Sequence, residues 1–104
     1  MYTMANRLDL QAELEELLGS RNVYFQPPAS VRINYPAIVY TRSDIDNTFA
    51  DDSVYMQSHF YEVTVIDEDP DSKIVEAVSK LPTCRFSRHF TSENLNHDTF
   101  IIYY

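Results

Sequence analysis

Two groups of residues in this 104-residue chain have types and spacings that could do chemistry. The first is Asp44, Asp46 and Thr48, oxygen-bearing side chains at alternating positions, as at the start of a calcium-binding loop. Such a loop needs a glycine at its sixth position for a sharp turn and a bidentate glutamate at its twelfth. Those places hold Phe49 and Tyr55, so no specific Ca²⁺ site is expected. The second is Cys84 with His89, a nucleophile and base by type. Five residues apart in an unbroken strand, they point to opposite faces and cannot meet without a bulge. The inward alternation Cys84, Phe86, Phe90 makes Cys84 a small core hydrophobe instead. Arg88 would then share the Cys84 face, which demands a carboxylate partner or a place at the sheet edge.

His59, His89 and His97 could join Cys84 around a metal ion, but their spacings match neither a zinc finger nor a catalytic-helix pattern. Nothing else supplies a nucleophile, a base and an oxyanion donor at credible spacing. The expectation is therefore a protein that is not an enzyme, with no catalytic residue, no metal and no cofactor.

Composition narrows the class further. The chain has 16 acidic and 8 basic side chains, a formal charge of −8, and a single glycine. Phosphate cradles and dinucleotide turns need several glycines, and tight nucleic-acid binding needs clustered Lys or Arg; neither is supplied. One cysteine permits no intrachain disulfide, and no apolar run approaches the ~20 residues of a membrane span. A soluble protein made in a reducing cytoplasm is expected. Eight Tyr and six Phe suit half-buried strands and protein contacts, and ~100 residues build only a thin core.

The elements that must position these residues follow from periodicity. Leu10, Leu14, Leu17 and Leu18 form one stripe of a helix over about 7–18, ended by Gly19. Strands are expected over about 23–26, 36–42, 57–67, 84–90 and 98–104. On the longest, Tyr61, Val63 and Val65 share one face, and Phe60, Glu62, Thr64 and Ile66 the other. The acidic stretch Asp67-Glu68-Asp69-Pro70-Asp71-Ser72 opens a second helix over about 71–80, with Pro70 in its first turn and Ile74, Val75, Val78 and Leu81 facing inward. The last two strands form a hairpin with a longer turn over 91–97. From 43 to 55 the pattern has neither period and reads as a long loop. The fold class is α+β: a mostly antiparallel sheet of four to five strands, with two helices on one face, in a single domain over 1–104.

Tyr35-Pro36-Ala37-Ile38-Val39-Tyr40, the run Tyr61 to Ser72, Leu81-Pro82, Arg88-His89-Phe90 and Asn94-Leu95-Asn96-His97 resemble the small neck and tail-completion proteins of long-tailed bacteriophages, most closely the tail terminators. The likeness covers about two-thirds of the chain. It implies a structural virion protein, a hexameric homo-oligomeric ring that caps the tail tube. Its partners would be the major tail tube protein and the head-side connector or stopper protein. DNA would pass through the lumen without specific binding, no membrane would be involved, and the ring would be assembled in the host cytoplasm. An acidic wall would let DNA slide, which suits the charge of −8. A head-closure or other neck-ring protein is the alternative, and a small metal-dependent hydrolase built on the histidines and the His97-Asp98 dipeptide a distant one. For tail-tube contact the sequence offers Asp44, Ile45, Asp46, Phe49, Asp51, Asp52 and Val54 in the 43–55 loop. For subunit contact it offers Tyr40, Arg42, Arg88 and His89.

Overall fold

Leu10 and Leu14, one helical turn apart, are fully buried, and Leu17 and Leu18 half-buried, which fixes how the first helix lies on the rest of the chain. The computed structural model describes residues 7–50 and 53–103, and within 44–58 it describes the backbone. Its elements are α1 (Arg7–Leu18), β1 (Val23–Phe25), β2 (Ala37–Ala50), β3 (Ser53–Asp67), α2 (Lys73–Ser79), β4 (Cys84–Ser92) and β5 (Leu95–Tyr103). Gly19 ends α1 at φ +77° with its N–H on the Glu15 carbonyl at 2.9 Å, the left-handed cap that the lone glycine predicts.

The strands form one sheet in the order β1-β2-β3-β5-β4, parallel between β1 and β2 and antiparallel elsewhere. This is the expected α+β fold. Cross-strand partners share a face, so the register Ile38↔Val65, Tyr40↔Val63, Val63↔Phe100 and Tyr61↔Ile102 assembles the core layer. Both helices pack on that layer, α1 through Leu10 and Leu14 and α2 through Val78. Among the described residues no helix covers the opposite face.

α2 begins at Lys73, later than expected, and Pro70 lies before it. The acidic turn explains the delay. Asp67 accepts the Asp69 N–H at 3.1 Å and Asp69 the Asp71 N–H at 2.9 Å, two successive side-chain turns. Buried Ser72 then caps the helix by accepting from the Ile74 N–H at 3.2 Å.

Three expectations are corrected. The stretch 43–55, expected as a loop, is strand at its described residues: Asp44–Ala50 continues β2, paired with Ser53–Phe60 of β3. This ribbon runs past β1, which stops pairing at Tyr40, and past β5, whose last partner on β3 is Phe60. A register shift between Arg42 and Asp44 leaves Ser43 as an extra residue and breaks the alternation that would have betrayed the strand. The turn between β4 and β5 is two residues, Glu93 and Asn94, both at positive φ (53° and 65°), so both strands are longer than expected. Finally, β4 carries a bulge between Phe86 and Arg88. Cys84 and Phe86 face the core layer opposite Ile102 and Phe100, whereas Arg88 and Phe90 face the open side opposite Thr99 and His97. Phe90 is therefore not inward with Cys84.

Leu14→Ala should lower the unfolding free energy by about 2–5 kcal/mol through the cavity it leaves. Gly19→Ala, whose added Cβ meets nothing within 4 Å, should cost only the left-handed strain, about 1 kcal/mol. Urea titration of both variants checks the ratio.

Candidate functional surfaces

The polar centre of the molecule lies between α1 and the first two strands. Tyr40, fully buried, donates its hydroxyl hydrogen to Gln11 Oε1 at 2.5 Å and accepts from the Arg7 guanidinium at 3.2 Å. Gln11 in turn donates through Nε2 to the Val23 carbonyl at 3.0 Å and to Glu15 at 3.1 Å. The Arg7 guanidinium carbon sits 4.4 Å from the centre of the Phe25 ring, which itself packs 4.9 Å from the Tyr40 ring. Burial pushes the Tyr40 phenol above its ordinary value of 10.0, opposed in part by the Arg7 hydrogen bond and charge. Tyr40, expected at a subunit contact, thus holds α1 to β1 and β2 from inside and presents nothing to a neighbour.

The other expected contact residues are dispersed. Arg42 is exposed and its N–H donates to Gln26 Oε1 at 3.2 Å. His89 is exposed and pairs with Asp98 at 2.8 Å across β4 and β5; Asp98 is a partner that the sequence reading did not assign to it. Arg88, also exposed, lies 5.2 Å from the centre of the Phe90 ring. Asp44, Ile45, Asp46, Phe49 and Val54 stand on the β2–β3 ribbon, and Asp51 and Asp52 lie outside the described residues.

The β4 bulge also changes the Cys84 and His89 geometry. It turns both onto one face, but Cys84 pairs with Ile102 and His89 with Asp98, four residues along β5, roughly 13 Å at ~3.4 Å per residue. Burial pushes the Cys84 thiol up, which disfavours the thiolate. Among the described residues no group of three or more His, Cys, Asp or Glu converges as a metal site, and no helix is long and apolar enough to cross a membrane. A cleft of about 250 Å³ lies between Leu10 and Glu13 of α1, the segment Leu81–Thr83 and Ile102 and Tyr103 of β5, smaller than the ~300–1,000 Å³ of typical ligand sites.

The most distinctive surface is the sheet face away from the helices. Register places Val39 and Thr41 of β2, Phe60, Glu62 and Thr64 of β3, Arg85, Arg88 and Phe90 of β4, and His97, Ile101 and Tyr103 of β5 on it, together with Ala37, Ile66 and Thr99, which are buried. The Thr64 and Thr99 hydroxyls meet at 3.2 Å in its middle. At one end Phe60 and Tyr103 meet edge to face at 4.2 Å, and at the other Phe90 stacks on His97 at 4.6 Å and 13°. Exposed aromatics, two arginines and one carboxylate make a composition closer to an interface core than to ordinary surface.

Compared with known proteins, the chain matches no family model and no curated sequence.

Tyr40→Phe should destabilise by about 1–2 kcal/mol at neutral pH, because Gln11 Oε1 and the Arg7 guanidinium lose a buried partner. The raised phenol value means that its stabilising contribution is full below the unfolded value of 10.0 and is lost as pH rises through the folded one. The gap between wild type and variant should therefore shrink above pH 10 in urea titrations run on both sides of that value.

Proposed function

We propose that the protein is a structural virion subunit, the terminator of a long phage tail, which forms a ring on the end of the tail tube and joins it to the head-side connector. The observation that carries the reading is the β2–β3 ribbon. Two strands without a third neighbour are marginal in water, so a ribbon running past the sheet is an element whose natural completion is another surface. It covers the same stretch whose residues the sequence offers for tail-tube contact. The open aromatic sheet face supplies a second surface, as a ring subunit with two neighbours requires. Net charge −8 supports the passage of DNA without retention.

The test is native mass spectrometry of the purified protein, alone and with isolated tail tubes, with electron microscopy of the tube ends. Rings on tube ends are expected; a strictly monomeric species that ignores tubes overturns the reading. A second variant isolates the ribbon. Residues 46–58 are replaced by an Asn-Gly turn that joins the paired Ile45 and His59. It should keep the far-UV spectrum and a melting temperature within a few degrees, yet lose tube capping. Capping at wild-type level by this variant would remove the ribbon from the proposal.

A further inference from the structure

The charges of the chain are segregated in a way that the ring reading alone does not require. β4 reads CRFSRHFTS, with two arginines, a histidine and no acid, in a protein of net charge −8. α1 reads RLDLQAELEELL, with four acids and one arginine. Arg85 and Arg88 stand exposed on the uncovered sheet face, flanked by Phe90 at 38% exposure and Tyr103 at 48%. On the far side of the molecule, the outward stripe of α1 carries Leu8, Ala12 and Glu16 at four-residue spacing, all exposed. Leu8, at 65%, is the most exposed large hydrophobic residue among those described. One face offers arginines beside aromatic rings, and the other offers the exposed Asp9 and Glu16 carboxylates beside an aliphatic anchor.

We propose that the open sheet face of one subunit receives the outer stripe of α1 from a second copy of the chain, with Arg85 and Arg88 against the acidic helix and Leu8 on the aromatic patch. The proposal rests on the self-associating ring reading and names its interface. Charge complementarity selects the occupant. Two sheet faces brought together would gather four arginines against two Glu62 carboxylates, and two α1 stripes would oppose acid to acid, so each like-with-like pairing leaves charge of one sign in excess. The face-to-helix pairing is attractive, and it uses two different patches. That makes the contact heterologous, the type that propagates from subunit to subunit and forms a ring where the rotation between neighbours completes a circle.

The experiment is a charge swap read by native mass spectrometry and sedimentation over a concentration series, with circular dichroism to confirm folding. Arg85→Glu with Arg88→Glu should raise the concentration of half-assembly by about tenfold or more, the scale of losing a close interfacial charge pair. Ala12→Lys with Glu16→Lys should do the same from the other side. The chain carrying all four substitutions should regain assembly, because the exchanged charges face each other again. If the sheet pair fails to fold, Leu8→Lys, at an exposed helix position, tests the same interface alone. Wild-type oligomers that persist unchanged in both double variants overturn this interface while leaving the ring reading standing. So does a four-fold variant that stays monomeric. A wild type that is monomeric and inert towards tubes overturns both.

Discussion

Among the described residues, two helices of 12 and 7 residues can cover one face of a five-stranded sheet and no more. That shortage of cover governs most of what the molecule presents. The covered face takes the fully buried side chains of both helices and of β2, β3 and β5, the thin core that a chain of this size permits. The uncovered face must manage with what its strands supply, and it does so by pairing: threonine with threonine, phenylalanine with tyrosine, phenylalanine with histidine. The segregation of charge follows the same division, since arginines on an aromatic sheet face and acids on an outward helix stripe are far apart within one subunit.

Within the covered layer, Tyr40 is the joint. Its ring packs between Phe25 and Tyr61 and its hydroxyl is shared by Gln11 and Arg7, so one side chain links the helix, the parallel edge strand and the sheet centre. β1 is only three residues long and would be a weak edge by itself. Gln11, bonded to both Tyr40 and the Val23 carbonyl, ties that strand to the helix above it. A buried polar group is costly unless satisfied, and among the described residues no buried side-chain polar atom lacks a partner.

Much of this was legible in the sequence, and two of the misread strands share one cause. Leucine spacing and the glycine after it mark α1 and its end at Leu18, and the alternation of Tyr61, Val63 and Val65 marks the core face of β3. Both signals are local and periodic. A β-bulge inserts one residue and reverses the phase, which hides β2 beyond Ser43, where the sequence reads as a loop, and turns β4 beyond Phe86, where Phe90 reads as inward. The β4–β5 turn was missed because Glu93-Asn94 contains no glycine, although asparagine tolerates the left-handed region. Tyr40 was misplaced for another reason. Its partners are 29 and 33 residues away in the chain, and no local pattern announces them.

The position of β4 at the end of the sheet bears on colloidal behaviour. Its outer edge is nine residues long and exposed almost throughout, which in a neutral strand would invite stacking into aggregates. Arg85 and Arg88, together with the bulge at Ser87, act as gatekeepers against that outcome: they repel an identical edge and kink the strand away from the flat geometry that fibrils need. The strand can stay open because it is inhospitable to its own kind.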